Sequence, residues 1–235
     1  MWREVALAGA AAAGWMAWAV RGKSSTVFGP SIWRGPSSRR AVALTFDDGP
    51  SESTPALIDL LAELDVKATF FMCGAAVRRL PEIAREISLR GHETGNHSDS
   101  HAMFALRSPG FIHSEIVRAQ DSIIAATGVR PVLFRAPFGV RWFGLAQALK
   151  DLELTGIMWT AMGSDWRLPP DAVARRLLAR AVNGAIFCLH DGRQLRPNPD
   201  ISSTLEAVRL VVPELKRRGY KLETVSRLLG AAPAS

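Results

Sequence analysis

Cysteine is scarce in this sequence, which excludes a small domain held together by several disulfides. The 235 residues include only two cysteines, Cys73 and Cys188. Each lies in an apolar run, which favours a buried free thiol. Two such residues do not make the disulfide framework of a small secreted domain, so the redox compartment stays open.

Excess positive charge is missing from most of the chain, although the formal net charge is +7. Residues 1–40 carry +5 of that charge, which leaves only +2 for the remaining 195 residues. Because a nucleic-acid-binding surface needs dense positive charge, we predict no nucleic-acid partner. The hydrophobic share of 48% predicts a globular domain with a buried core.

The chain also lacks sequence repeats, and its one Ala-rich tract lies at the N-terminus. Residues 5–20 carry no charge and would span about 24 Å as a helix, slightly less than the hydrocarbon core of a bilayer. Trp15 and Trp18 suit a membrane interface, and no A-x-A cleavage site precedes Arg21.

We therefore predict a membrane anchor or uncleaved signal over residues 1–21, with a docked apolar helix as the alternative. Residues 22–40 are predicted as a linker, and residues 41–230 as one catalytic domain. The expected location is the membrane or cell envelope, with the side of the membrane open. Positive charge after the anchor favours a cytoplasmic-facing domain, which a topology reporter fused after Ser235 would test.

The domain alternates short apolar runs with helical patterns, which predicts α/β architecture with parallel strands and right-handed crossovers. The predicted strands cover residues 41–46, 67–73, 93–95, 132–134, 155–160, 185–189 and 221–225. About seven strands with outer helices fit a closed or nearly closed (β/α) barrel.

Polar and aromatic residues follow five of these strands, at the end where a parallel barrel gathers its chemistry. In chain order they are Asp47, Asp48, His97, His101, Arg135, Pro137, Phe138, Asp165, Trp166, His190 and Asp191. The loop at 193–200 is either a substrate contact or an ordinary loop. Two imidazoles and one carboxylate can hold a divalent metal, and a spare carboxylate can accept a proton from water. Taken singly, each piece also fits a turn, a surface histidine or an ion pair. Their convergence favours a metallohydrolase.

The ordered set resembles the polysaccharide deacetylase family, which is carbohydrate esterase family four and is also described as the nodulation-protein-B homology domain. The matching motifs are TFDDGP at 45–50, HSDSH at 97–101, RAPFG at 135–139, SDW at 164–166 and, in part, CLH at 188–190. The resemblance runs from about residue 41 to 229 and implies a distorted (β/α) barrel.

The resemblance also implies a role for each matched residue. The implied metal ligands are Asp48, His97 and His101. The implied catalytic group comprises Asp47 as base, Arg135 orienting it, His190 as acid and Asp165 holding His190. The implied substrate-binding group is Pro137, Phe138, Trp166 and Cys188, with the Phe138 amide facing the oxyanion and Trp166 lining the acetyl pocket.

Two positions depart from the family pattern. Met162 stands where a further Asp is usual, which affects local substrate contacts. Cys188 stands where the acetyl pocket has Leu; because cysteine is a small hydrophobe, the pocket would be roomier but still apolar.

The sequence thus predicts a metal-dependent hydrolase that removes N-acetyl groups from N-acetylglucosamine-type glycans, whether peptidoglycan, chitin-like or lipid-linked. The expected cofactor is a divalent metal, zinc first and cobalt, nickel or manganese next. Two alternatives are a non-catalytic sugar-binding module on the same barrel and a two-histidine, one-carboxylate iron oxygenase. Base and acid, on the first and sixth strands, are expected on opposite sides of the metal. Oligomeric state is left open.

Overall fold

The sheet is built around its first strand, a run of seven residues that are all buried. The computed structural model describes residues 2–230, and within them eight strands form one parallel sheet. The strands are β1 Ala41–Asp47, β2 Thr69–Met72, β3 Glu93–Asn96, β4 Leu133–Phe134, β5 Thr155–Gly156, β6 Ala161–Met162, β7 Ala185–His190 and β8 Lys221–Leu222.

The strand order is β5-β4-β3-β2-β1-β7-β6, and β8 pairs with the start of β1. Every pairing is parallel. The prediction of a distorted (β/α) barrel with about seven parallel strands is confirmed. Since β1 and β7 are neighbours, Asp47 and His190 are register partners. The predicted base and acid therefore come from adjacent strands, rather than from opposite walls of a closed barrel.

Side chains of β1 alternate between two environments, as the period of a strand requires. Val42, Leu44 and Phe46 belong to the core between the sheet and its outer helices. Ala43 packs in a second apolar cluster with Phe71. The same alternation carries the last residue of the strand, Asp47, inward at the carboxyl end of the barrel.

The helices lie between the strands, as the alternating pattern predicts. Within the described residues they are α1 Trp2–Arg21, α2 Thr54–Glu63, α3 Gly74–Arg79, α4 Pro81–Leu89, α5 Pro109–Thr127, α6 Leu145–Asp151, α7 Pro170–Leu178, α8 Ser202–Arg217 and α9 Val225–Leu229. Helices α3 and α9 were not predicted, because each is too short to show a clear amphipathic period.

The sheet does not close on itself at residues 155–160, where a single strand was predicted; we call the gap between its two edge strands the seam. Residues 155–160 do not form a single strand: β5 and β6 lie at opposite edges of the sheet order. Residues 31–35 lie in this seam, where the Ile32 amide donates to the Gly156 carbonyl at 2.8 Å and the Met158 amide donates to the Ile32 carbonyl at 2.7 Å. A Cβ at position 156 would lie 2.5 Å from the Pro30 carbonyl oxygen. Glycine thus admits the segment, and part of the predicted linker packs against the barrel.

Helix α1 meets the barrel at its C-terminal turn. The Arg141 amide donates to the Val20 carbonyl at 3.0 Å, while Leu7, Trp15 and Trp18 are exposed. None of the helices within residues 2–230 combines the length and apolar character that crossing a bilayer requires. Attachment to a membrane stays a prediction.

Candidate metal centre and active site

The predicted site residues meet at the carboxyl ends of the strands, around a cavity of about 350 Å³. Asp47 ends β1 and His190 ends β7. The residues that line the cavity are Arg21, Asp47, Asp48, His97, His101, Ala136, Phe138, Gly139, Trp159, Met162, Trp166, His190, Gly192, Arg193, Gln194 and Arg196. Its size falls within the range usual for small-molecule sites.

Three of the cavity residues form a compact group of potential metal ligands. The Asp48 carboxylate Oδ1 lies 2.9 Å from His101 Nε2 and 3.4 Å from His97 Nε2. All three side chains are buried. Burial opposes the charge, but the neighbouring His101 and His97 imidazoles hold the pKa of Asp48 well below its usual value. The carboxylate is thus available as an anionic ligand.

The hydrogen bond of His97 shows which of its ring nitrogens can face a cation held by Asp48, His97 and His101. His97 Nδ1 lies 2.7 Å from the Arg135 carbonyl oxygen, which accepts hydrogen bonds only, so Nδ1 carries the proton. In the neutral ring Nε2 then presents a lone pair to the Asp48 carboxylate. Two lone pairs at this distance repel unless a cation lies between them. A carbonyl behind the ring is also the usual partner that orients a metal-binding histidine.

The chain leaves the strand through left-handed backbone at the ligands. The φ angles are 74° at Asp48 and 55° at His101, a conformation in which Asp and His are enriched among non-glycine residues. Next to Asp48, a Cβ at position 49 would lie 2.0 Å from Asp191 Oδ2. Only glycine fits at that position, which explains the Gly in the Asp-Asp-Gly-Pro turn.

Asp47 stays outside this ligand group and is held by a buried arginine. Arg135 Nη1 donates to Asp47 Oδ1 at 2.6 Å and to Thr45 Oγ1 at 2.6 Å. The guanidinium is fully buried, and it stacks 4.1 Å from the Phe71 ring centroid. Because Arg135 is fixed on several sides, Asp47 has one orientation.

His190 ends the neighbouring strand β7 and is held by Asp165. The distance from His190 Nδ1 to Asp165 Oδ1 is 3.0 Å, and Thr204 Oγ1 donates to Asp165 Oδ2 at 2.6 Å. Burial disfavours the charged ring, but the Asp165 hydrogen bond and the charges of Asp165, Asp48 and Asp47 outweigh it and raise the pKa of His190 to about 9. His190 is therefore a proton donor at neutral pH.

The predicted substrate-binding residues divide into two pairs. Phe138 and Trp166 line the cavity; the Phe138 ring packs edge-on against His101, with centroids 4.6 Å apart, and Trp166 packs edge-on against His190 at 4.9 Å. Pro137 and Cys188 do not line it. Cys188 is fully buried and donates to Asp47 Oδ2 at an S···O distance of 3.4 Å. It therefore packs against the Asp47 carboxylate and is not part of the cavity wall.

Burial and the charge of Asp47 raise the pKa of the Cys188 thiol well above its usual value. The thiol is therefore neutral. Its sulfur, Asp47 and His190 form a second group whose ligand atoms lie within 4.8 Å of one another. The partners of these residues, Arg135 on Asp47 and Asp165 on His190, point to proton transfer rather than to a second metal.

Several residues at the site have no role assigned from the sequence. Asp191 is fully buried; burial and nearby Asp48 raise its pKa to about 7, against a hydrogen bond from Thr54 at 2.7 Å. It supports the Asp-Asp-Gly-Pro turn from below, and its place directly after His190 was the available signal. Arg21, Arg193 and Arg196 at the cavity mouth belong to no motif, and the latter two lie in the loop at 193–200 that was a candidate substrate contact.

The sequence and structure match proteins of one family. Residues 34–157 match the family model for polysaccharide deacetylase. The chain is 32% identical over 201 residues to a peptidoglycan-N-acetylglucosamine deacetylase of Bacillus cereus, covering 84% of this chain and 92% of that protein. It is 33% identical to a chitooligosaccharide deacetylase of Bradyrhizobium, covering 82% and 92%.

A solved structure adds a contrast. A CE4 family pseudoenzyme from Bacillus anthracis superposes with a TM-score of 0.78 at 31% identity, covering 85% of this chain and 69% of that one. The fold alone therefore does not guarantee catalysis. Whether a chain of this fold is active depends on the side chains in the cavity.

Proposed function

Because the chain belongs to the polysaccharide deacetylase family, we propose that it removes acetyl groups from the N-acetylglucosamine units of a glycan, in peptidoglycan or chitin-like chains. One observation carries the proposal: a three-residue ligand group, a carboxylate outside that group and a histidine paired with Asp165 line the same cavity. A non-catalytic sugar-binding module does not need a metal-ligand group, a general base and a general acid in one cavity.

The ligand group fits zinc. Two imidazoles and one carboxylate are a usual set for a catalytic zinc site, and this set leaves a coordination position free. Cobalt, nickel and manganese are the alternatives. A divalent metal held by Asp48, His97 and His101 would lower the pKa of a water and polarise the acetyl carbonyl.

Asp47 is the proposed general base. It lies next to the ligand residue Asp48 but takes no part in the ligand group, since Arg135 binds its Oδ1 at 2.6 Å. The carboxylate is thus held beside the cavity, where it can accept a proton from water attacking the acetamide carbonyl. A non-haem iron oxygenase has no use for such a base.

His190 is the proposed general acid. An amine leaves an acetamide only once its nitrogen is protonated, and His190 carries a proton at neutral pH. Asp165 holds Nδ1, so Nε2 is the nitrogen that delivers the proton to the leaving amine. The Phe138 amide is proposed to stabilise the oxyanion, and Trp166 to pack against the acetyl group.

The direct test of the proposed function is acetate release. We expect the zinc-loaded protein to release acetate from chitotetraose or from peptidoglycan glycan strands, the cobalt form to be active, and EDTA to abolish the reaction. Tight glycan binding without acetate release, with every metal tried, would support the sugar-binding module instead. Oxygen consumption with Fe(II) and an organic cosubstrate would support the oxygenase.

Asp165→Asn should change the pH dependence of the reaction. His190 acts in its protonated form, so activity is present below its pKa and is lost as the pH rises through it. The Asp165 carboxylate raises that pKa; without it, we expect the alkaline limb of kcat/KM to move to lower pH. Since a general acid contributes about 10²- to 10⁴-fold, kcat at pH 8 should fall by about 10²-fold.

The measurement is the pH–rate profile of the zinc-loaded protein from pH 5.5 to 10. Asp171→Asn is the matched control, because Asp171 is exposed and pairs with Arg175 on α7. That variant should keep the wild-type profile. An unchanged alkaline limb in Asp165→Asn would mean that His190 is not the acid that Asp165 tunes.

A further inference from the structure

The mouth of the cavity carries three arginines that the proposed reaction does not use. Arg21 ends α1, and Arg193 and Arg196 lie in the loop after β7; all three line the cavity. We call them the rim arginines. Within residues 2–230 none of them lies within 4.0 Å of a carboxylate, whereas other surface arginines such as Arg79 and Arg90 form ion pairs.

Arg21 is held in place by the end of its helix. The buried guanidinium of Arg141 donates to the carbonyls of Gly22 and Ser25, directly after α1. Arg21 itself donates to the Phe138 carbonyl at 3.5 Å. The first rim arginine therefore lies beside the residue proposed to face the oxyanion.

The loop with the other two is tied to the metal-ligand side. The Gln194 amide, between Arg193 and Arg196, donates to Asp48 Oδ2 at 3.0 Å. The Asn198 amide donates to Glu52 Oε2 at 2.8 Å. Asp200 feels the charge of Arg193, but its carboxylate accepts from the Ser202 amide at 2.9 Å. These contacts hold the backbone of the loop that carries Arg193 and Arg196 at the mouth, and neither guanidinium forms an ion pair with a described residue.

The three rim arginines give the cavity more positive charge than the binding of a neutral acetamido sugar requires. Its two acids already have other partners: Asp47 binds Arg135, and Asp48 lies among the histidines. Trp159, Met162 and Trp166 also line the cavity and offer aromatic and apolar surface for a sugar ring. Residues 41–235 carry a net charge of only +2, so the pair Arg193 and Arg196 at one cavity is a local feature of that part of the chain. Guanidinium groups bind carboxylates and phosphates through paired hydrogen bonds.

We propose that the substrate carries an anionic group, a carboxylate or a phosphate ester, on the sugar next to the one that is deacetylated, and that Arg21, Arg193 and Arg196 bind it. This inference rests on the proposed function, because it places the anion beside a reacting N-acetyl sugar. It identifies a charged glycan as the substrate class, with neutral chitooligosaccharides as poorer substrates.

The test compares kcat/KM on three glycans: neutral chitotetraose, a peptide-free tetrasaccharide with alternating N-acetylmuramic acid, which bears a carboxylate, and chitobiose 1-phosphate. We expect one anionic substrate to exceed chitotetraose by about tenfold or more, as charge-assisted hydrogen bonds allow. The better of the two identifies the source of the charge. Raising the salt from 0.05 to 0.5 M should shrink the ratio, since salt screens exposed charges.

Replacement of the rim arginines should lower the same ratio. In Arg193→Gln/Arg196→Gln, and further with Arg21→Gln, the anionic-to-neutral ratio should fall toward one. Arg180→Gln is the matched control: Arg180 is exposed, lies just beyond α7, and is not part of the cavity. It should keep both the ratio and the activity. Equal kcat/KM on all three glycans, or a ratio unchanged in the triple variant, would overturn the proposal.

Measuring glycan affinity apart from turnover tests the anion site independently of the proposed deacetylation. Calorimetry with zinc-loaded Asp47→Asn measures the dissociation constants of the same three glycans without turnover. If no glycan releases acetate from the wild type but an anionic glycan binds at least tenfold more tightly than chitotetraose, the reaction fails and the rim site stands. If acetate is released but binding shows no preference for charge, or no anionic glycan binds detectably, the rim site fails.

Discussion

Asp47→Asn is expected to lower kcat for acetate release by about 10²- to 10⁴-fold, the range that a positioned general base contributes, with zinc still bound. Asn has the shape of Asp but cannot accept a proton from water. Its side-chain oxygen can still accept the hydrogen bond from Arg135, which lies 2.6 Å from Asp47 Oδ1. The three ligand residues are unchanged. The measurements are kcat with a saturating glycan and zinc content by elemental analysis.

Two comparisons make this result specific. Asp59→Asn is the matched control, since Asp59 is exposed on α2 and pairs with Arg90; it should retain wild-type activity. Asp48→Asn changes the neighbouring carboxylate and should lose zinc as well as activity. Near-wild-type turnover in Asp47→Asn would remove Asp47 from the mechanism. Loss of zinc from that variant would make it a ligand rather than a base.

The strand ends could be predicted because their signal is local. The apolar run of β1 stops at Asp47, and β7 stops at His190, so hydrophobicity alone marks where the polar side chains begin. Parallel strands bring such ends to one edge whatever their order in the sheet. The positions of the ligand group and of Arg135 follow from this rule together with the motifs.

The order of the strands could not be predicted in the same way, because it depends on contacts between distant residues. Nothing near His190 indicates that β7 pairs with β1, or that Asp47 is its register partner. The seam was missed for a related reason. The run at 155–160 looks like one strand, but backbone hydrogen bonds from Ile32, more than a hundred residues earlier, determine its conformation.

The cavity mouth was the least predictable part of the site. Arg21 reaches it because Arg141 holds the end of α1, and Arg193 and Arg196 reach it because the Gln194 amide bonds to Asp48. These are tertiary contacts of residues that belong to no motif. The motif position of Cys188 predicts a residue of the acetyl pocket, whereas the inward alternation of β7 places its sulfur against Asp47.

His97→Ala should abolish metal binding and lower acetate release by at least about 10³-fold, since a Lewis acid contributes several kcal/mol and each 1.4 kcal/mol is about tenfold. The wild type should also gain thermal stability with zinc, because a ligand that binds only the folded state stabilises it by about 4 kcal/mol at a thousand times its dissociation constant. The measurements are zinc content and the zinc-dependent shift in Tm.

The zinc-dependent shift in Tm distinguishes a variant that has lost a metal ligand from one that is misfolded. Asp47→Asn should keep the zinc-dependent rise in Tm although it is inactive, whereas His97→Ala should lose the rise although it is folded without zinc. His113→Ala is the matched control, since His113 is exposed on α5, and it should keep both zinc and activity. Full zinc occupancy in His97→Ala would contradict the ligand group, because Asp48 and His101 alone leave the cation with two protein ligands, one fewer than a catalytic zinc site has.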